Sequence, residues 1–331
     1  MSFKLIIDNV YFNIFVLCGS FYILFKCSDY FVESAVGIAH HYNLPKMLVG
    51  IIIVGFATTA PEIAVSAQAA YLGHPEIAFG NAIGSVIVDD GVALALAAII
   101  SPIAISVNKD ILKTAGIFLI GIDIIALLFA LNGRISRIEG AVFVALLICY
   151  MIFVIYAEKR RKLHLVDIGE LTEEKPKINL KKLYLLFAIG LIGVIIAARL
   201  VIRSSLIIAH NFNVSETIIG LTIVAIGTSL PEISTCIVAS LKGHGEIAVG
   251  DIIGADILNI LWIIGVSSIV KTIQLDKFTV YFSFISMFII VGTMLGSLRA
   301  KYKLTKWNGI VLLLIYLVYL YFNYRFYYIS G

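Results

Sequence analysis

Residues 55–90, GFATTAPEIAVSAQAAYLGHPEIAFGNAIGSVIVDD, lie without a gap over residues 225–260, AIGTSLPEISTCIVASLKGHGEIAVGDIIGADILNI. Between 54–87 and 224–257, fifteen of thirty-four positions are identical. They include Thr58/Thr228, Pro61/Pro231, Glu62/Glu232, the Gly-His pairs at 73–74 and 243–244, Glu76/Glu246 and Gly84/Gly254. A merely apolar background would match Ile and Leu; it would not match Pro, Glu, His and Gly in register. Weaker identities run upstream through Gly50/Gly220, Asn43/Asn213, His40/His210 and Ser34/Ser204. The chain is an internal duplication with a spacing of 170 residues.

Around that repeat the composition fixes the solvent. At 331 residues, the chain has the length of about two soluble domains. Yet residues of the set AVILMFWYC make up 60%, charged residues only 14%, and the mean hydropathy is +1.01. Such a chain has too little polar surface to cover a globule in water and too much apolar content for disorder. Lipid is the remaining solvent. A net charge of +4 is too weak to suggest nucleic acid. Cys18, Cys27, Cys149 and Cys236 all sit in apolar stretches and form no CxxC, which points to packing rather than metal or disulfide.

Apolar runs fall at 8–27, 46–72, 78–106, 113–132, 138–157, 182–202, 217–241, 247–270, 278–297 and 307–324. About 20 helical residues cross the hydrocarbon core, and continuous runs of this length are helices, not barrel strands. The predicted fold is an all-α integral membrane protein with ten transmembrane helices in two inverted-topology five-helix repeats. Residues 1–157 form the first repeat with its motif at 55–90, residues 158–182 a loop, and residues 183–331 the second repeat with its motif at 225–260. Five helices per half is an odd number, so equivalent helices run in opposite directions. With both termini outside, sixteen Lys and Arg fall on the cytoplasmic side, eight of them in the 158–182 loop, against six outside. That bias places the loop in the cytoplasm. The first run carries only Lys4 on its flank and the repeat reaches back close to it, so it reads as a mature helix rather than a signal peptide.

Each copy carries a built-in defect. Proline at 61 or 231 has no N–H, so the carbonyl of Ala57 or Gly227 loses its helical partner. Thr58 and Glu62 are i,i+4 neighbours across that break, as are Thr228 and Glu232. The following helix puts Ser85 and Asp89 on one face, and Ala255 and Asn259 on the equivalent face. An acid in the membrane is expensive and marks function by default. Hydroxyls, freed carbonyls and carboxylates together make an oxygen-only cage, suited to Na⁺ or Ca²⁺ and not to softer metals.

GTSLPE at 227–232 and ATTAPE at 57–62, each followed by a G-N/D-x-x-G segment, resemble the α-repeats of the sodium/calcium exchanger superfamily. The resemblance covers both repeats closely and the ten-helix layout as a whole. It implies antiport of Ca²⁺ against Na⁺ by alternating access in the cell membrane, with those ions as cargo, no cofactor, and helices one and six as the sliding element. It also implies a diamond of Glu62, Asp89, Glu232 and Asn259. Further oxygens would come from Thr58, Thr59, Thr228, Ser229 and Ser85, and from the carbonyls of Gly55 and Ala225. Two departures stand out. The amide and the acid that the family places in the first and second repeat are exchanged here as Asp89 and Asn259, which keeps three carboxylates at the diamond. Ala255 stands where a ligating Ser is usual. The 158–182 segment is too short for the regulatory Ca²⁺-binding domains of some relatives.

Other readings stay open at this point. Three carboxylates close together and one missing hydroxyl suit proton-coupled exchange of a divalent cation as the alternative. A passive channel is a further one. An intramembrane enzyme lacks support, since no nucleophile–base pair and no HExxH motif occurs. Asp90 has no acidic counterpart, Ile260 standing in its place, and reads as a supporting or proton-binding group. Asp251 and Asp256 are expected to pair with Arg199 or Arg203 or to line a vestibule, and Asp29 and Glu33 to be partners for the same arginines or interfacial. His74 and His244 are expected to hydrogen-bond helix ends. Asp123 is an isolated acid without an assigned role, and the aromatics from Tyr316 to Tyr328 read as an interfacial belt. Nothing in the sequence indicates an oligomeric state.

Overall fold

The computed structural model describes residues 9–41, 59–107, 112–163, 180–241, 243 and 245–330. Among these residues, eight helices are long and apolar enough to cross a membrane, and a ninth crossing is the bent pair Glu216–Thr228 and Leu230–Leu241, angled by 43°. The remaining expected span, 46–72, is described only from Thr59, where the helix Ala60–Leu72 begins. Helices one and six exceed their apolar runs. They extend over Val10–His41 and Leu180–Asn211, taking in Asp29, Glu33, Arg199 and Arg203. These two long helices pack along each other. Gly190 and Gly193 lie against helix one so closely that a methyl on Gly190 would sit 2.6 Å from the Phe31 amide nitrogen. Small residues at such crossings let two backbones approach in lipid.

The duplication is visible in the backbone as well as in the letters. Helix Pro75–Val88 passes into a π-helical segment, Asp89–Leu94, and then into Ala95–Ile100. Helix Gly245–Leu258 passes into the π-helical segment Asn259–Ile264 and then into Gly265–Val270. Each π segment starts 170 residues from the other, and each opens on a diamond residue. The repeated Gly-His pair also has a structural cause. Gly73 closes helix Ala60–Leu72 at φ +99°, with its N–H on the carbonyls of Ala69 and Ala70. Gly243 takes the same left-handed turn at φ +80°, a conformation that costs a residue with a Cβ.

Two short ribbons depart from the all-helical expectation. Strand β1 (Ile105–Ser106) pairs antiparallel with β4 (Lys303–Leu304), and β2 (Arg134–Ile135) pairs antiparallel with β3 (Ile273–Gln274). Each ribbon joins one half of the chain to the other. The first pairs the joint after helix three with the joint before helix ten; the second pairs the joint after helix four with that before helix nine. In the predicted topology the partners of each ribbon lie on the same side of the membrane.

The buried apolar side chains fall into two clusters. The larger includes Phe79, Leu94, Ile122, Phe143, Phe284 and Leu312, and ties together helices three, four, five, eight, nine and ten. The smaller one includes Leu17, Leu24, Ala69, Ala197, Val201 and Ile219, and is built chiefly on the paired helices one and six. Between these bodies run the broken helices. Here Gly80, Gly84 and Gly220 bring helix Pro75–Val88 and the start of the bent span into backbone contact. A methyl on Gly80 would stand 2.3 Å from the Thr217 carbonyl oxygen, and one on Gly220 would stand 2.6 Å from the Ile77 carbonyl oxygen. That crossing brings residues 81 and 85 to the level of 225 and 228.

Candidate functional site

The bend in span seven sits at Ser229 (φ −79°, ψ +5°), two residues before Pro231. Its repeat mate Thr59 has almost the same conformation (φ −82°, ψ +6°), two residues before Pro61. In both copies a helix begins at once, and the glutamate falls in its first turn. The restart is marked by Ile63 N–H donating to the Thr59 carbonyl and Ile233 N–H to the Ser229 carbonyl, each at 3.0 Å. Proline is suited to such a first turn, where its missing donor has no helical use. The proline break therefore delivers Glu62 and Glu232 to the interior on rigid supports.

The π segments bring the second pair. The segment that starts at Asp89 packs against the Leu230–Leu241 helix of Glu232. The segment that starts at Asn259 packs against the Ala60–Leu72 helix of Glu62. Glu62, Asp89, Glu232 and Asn259 are all sealed from solvent. Glu62 lies within electrostatic reach of Asp89, and Glu232 within reach of both. Thr228 and Ser229 stand beside the Glu62 carboxylate, and Ser229 also stands beside Asp89. Neither hydroxyl meets hydrogen-bond geometry there: both oxygens of Glu62 and Glu232, Oδ1 of Asp89 and both amide atoms of Asn259 are buried without a hydrogen-bond partner. The Ser85 and Ser229 hydroxyls share that state. Thr59 is buried at the turn. The Ala225 carbonyl accepts the Ser229 N–H at 3.0 Å and keeps one lone pair. Gly55, Ala57 and Thr58 lie outside the described residues.

A buried ionised carboxylate without a partner costs several kcal/mol, and three in one space cost more because they also repel one another. The pocket is stable only with compensating positive charge. Among the described residues, no three His, Cys, Asp or Glu side chains stand close enough to enclose one metal ion in this conformation. Neutral hydroxyl oxygens, those of Thr228 and Ser229, stand beside these acids.

Several residues have surroundings that sequence reasoning did not foresee. Asn81 is buried next to the site and bonds to Ser66, to the Glu62 carbonyl and to Thr228. Asp256 meets no arginine; it is buried with both oxygens unpartnered, in electrostatic reach of Asp90, Asp89 and Asp123. Asp123, isolated in the sequence, thus joins a second acidic group between helices three, four and eight. Arg199 reaches Gln68 at 3.5 Å instead. His74 bonds the two helix ends through its backbone, its N–H donating to the Ala69 carbonyl at 2.8 Å and its carbonyl accepting from the Ile77 N–H at 3.2 Å, while its Nδ1 faces both carboxylate oxygens of Glu216 at 2.9 Å. His244 lies outside the described residues.

The His74–Glu216 pair belongs to a polar mouth of about 490 Å³ that Glu76, Thr217 and Asp276 also line. Nearby, the Lys271 ammonium donates to the Gly73 carbonyl at 2.7 Å, and the Gln274 N–H donates to Glu76 at 3.3 Å. These contacts join the two halves on one face, above the broken helices. His74 and Glu216 remain about one-third exposed, so their pairing adds at most about 1 kcal/mol.

Comparison with known proteins bears on this geometry. A family profile described as "Sodium/calcium exchanger protein" matches residues 12–156 and 182–325. The "Sodium/calcium exchanger MaX1" of Methanosarcina acetivorans is 28% identical over 342 residues, covering 93% of this chain and 97% of that protein. The "Inner membrane protein YrbG" of Escherichia coli is 31% identical over 252 residues, covering 75% of this chain and 77% of its own length. Among solved structures, the sodium-calcium exchanger NCX_Mj soaked with Na⁺ and Sr²⁺ matches with a TM-score of 0.62 and 29% identity, over 94% of this chain and 99% of that one. The same exchanger soaked with Na⁺ and Ca²⁺ matches with a TM-score of 0.60 and 30% identity, over 93% and 97%.

Proposed function

The chain belongs to the sodium/calcium exchanger family, and from that premise we propose that it exchanges Ca²⁺ for Na⁺ across the cell membrane by alternating access, as a transporter and not an enzyme. One observation carries the reading: two helices that start at a Pro-Glu pair bring Glu62 and Glu232 into one sealed space with Asp89, and no oxygen of either glutamate has a partner. An enzyme has no need for an inverted duplicate of its acid. An antiporter does, because its site must be completed from either side. The recurrence of the π segments and broken turns at a spacing of 170 residues, and the two cross-half ribbons, support inverted repeats at 1–157 and 183–331 with a cytoplasmic 158–182 loop.

Cargo and coupling follow from charge. Glu62, Asp89 and Glu232 are the acidic ligands of the proposed site, and Asn259, Thr58, Thr59, Thr228, Ser229, Ser85, Gly55 and Ala225 provide its neutral oxygens. One Ca²⁺ or several Na⁺ offset the carboxylates, and either filling removes most of the penalty for closing low-dielectric protein around them. The empty site keeps that penalty, so the switch between outward and inward access is favoured only when loaded. Helices one and six share a glycine-lined crossing and supply most of the smaller apolar cluster, as suits a pair that moves as one body.

The test is radiolabelled Ca²⁺ uptake into proteoliposomes, driven in separate arms by an outward Na⁺ gradient and by a pH gradient. Uptake is expected in the Na⁺ arm, saturating and without single-channel current. Uptake in the pH arm alone assigns the coupling to protons and overturns Na⁺ as the counter-ion. The exchanged acid and amide give a second expectation. Asp89→Asn alone raises the Ca²⁺ half-saturation about tenfold or more, as the loss of a charged contact of about 1.5–3 kcal/mol requires. Adding Asn259→Asp restores three carboxylates and recovers most of the loss. A double variant as impaired as the single one would show that the two positions are not interchangeable.

A further inference from the structure

We propose that Asn81 is a positioning residue for Na⁺: by accepting the hydrogen bond of the Thr228 hydroxyl it frees the Thr228 oxygen and the Ala225 carbonyl to face the cation. The inference rests on the reading above that Thr228 and Ala225 are ion ligands. Asn81 lies in helix Pro75–Val88, one turn before Ser85, and is completely buried. Its Nδ2 donates to Ser66 Oγ at 2.9 Å and to the Glu62 carbonyl at 3.4 Å. A flipped amide would turn Oδ1 against the Glu62 carbonyl, acceptor against acceptor, so the orientation is set by the network. Oδ1 is thereby aimed at Thr228 across the interface between the repeats, where Thr228 Oγ1 donates to it at 3.0 Å.

The Thr228 hydroxyl has one hydrogen and three acceptors in range. Besides Asn81 these are the carbonyls of Val224 at 3.1 Å and of Ala225 at 3.3 Å. Back-bonding into its own helix is the ordinary choice of a threonine in a helix. If the hydrogen went to Ala225, it would occupy the lone pair that the Ser229 N–H leaves open. Asn81 is the nearest acceptor, and it draws the hydrogen off the helix. One amide thus releases two neutral oxygens at once. A divalent ion is held mainly by carboxylates, because its attraction to them is twice that of a monovalent ion. Sodium draws a larger share of its binding from neutral dipoles, so the effect of Asn81 falls mostly on Na⁺. Through this single side chain the segments that carry Glu62 and Thr228 are linked across the interface between the repeats.

A double-mutant cycle tests this in proteoliposomes, with the Na⁺ and Ca²⁺ half-saturations and the thermal unfolding of each variant measured together. Thr228→Ala and Asn81→Ala are each expected to raise the Na⁺ half-saturation about fivefold, the effect of one net hydrogen bond, and to raise the Ca²⁺ half-saturation by a smaller factor. The double variant is expected to be no worse than either single one. Shifts that multiply would mean that Asn81 acts other than through Thr228, and would overturn the inference while leaving the site intact. If Thr228→Ala moves neither half-saturation, Thr228 is not a ligand, and the site reading falls first and the inference with it. Ser66→Ala loosens the amide without removing it and runs the same cycle if Asn81→Ala fails to fold. It is expected to raise the Na⁺ half-saturation by about twofold, less than Asn81→Ala, and an unchanged value would overturn the proposal.

Discussion

Glu62→Gln is expected to abolish Na⁺-driven Ca²⁺ exchange, at least a hundredfold below the native rate, while making the ion-free protein more heat-stable. Both results have one cause. The side chain is buried with neither carboxylate oxygen in a hydrogen bond, and Asp89 and Glu232 repel it. In ion-free buffer the charge only destabilises, and the isosteric amide removes that cost. With Ca²⁺ present the order reverses. The native protein gains RT ln(1 + [L]/Kd), about 2.7 kcal/mol at a hundredfold excess over Kd, and the variant gains little. Thermal unfolding with and without Ca²⁺, beside flux in proteoliposomes, checks both halves. Glu232→Gln should behave in the same way because it occupies the same position in the other repeat. A Glu62→Gln protein that exchanged at the native rate would remove Glu62 from the site.

Gly220→Ala is expected to cost at least about 3 kcal/mol of stability, at the upper end of overpacking, and to eliminate exchange. The new methyl would sit 2.6 Å from the Ile77 carbonyl and 3.0 Å from the Asn81 nitrogen, both backbone atoms that no rotamer change can move. The helices must separate, and with them the level at which Asn81 meets Thr228. Gly80→Ala, 2.3 Å from the Thr217 carbonyl, attacks the same crossing from the other side. Gly292→Ala is the control. Gly292 is exposed on its helix with nothing within 4 Å of an added methyl, and Ala is the better helix former by up to about 1 kcal/mol. Thermal unfolding in detergent separates the two classes, and a Gly220→Ala protein as stable as Gly292→Ala would disprove the crossing.

Sequence alone was enough to locate the broken helices and their glutamates, because proline and buried acid are strong local signals. The backbone confirms the period of 170 in the paired turns at Thr59 and Ser229 and in the π segments at Asp89 and Asn259. What it could not supply were contacts set by how the halves dock. Asn81 sits in a run of small and apolar residues that says nothing of Thr228, 147 residues away. The π segments widen a helix by one residue per turn without any change of composition. His74 sits between two helix ends as its place in the turn implied, but the docked second half adds a partner for its ring, Glu216, that the local sequence could not show. Asp256 was expected to pair with an arginine or to line a vestibule, whereas packing buries it within reach of Asp90 and Asp123.

The two ribbons bear on the order in which the protein is made. Strand β1 emerges from the ribosome with its edge open, and its partner β4 follows only after nearly all of the second half. Strand β2 likewise waits for β3. A chain halted after its fifth helix has both edges unsatisfied, and also lacks the bent span against which Gly80 and Gly84 pack. In chain order the β2–β3 ribbon can close once the eighth span has been made, and the β1–β4 ribbon only once the ninth has.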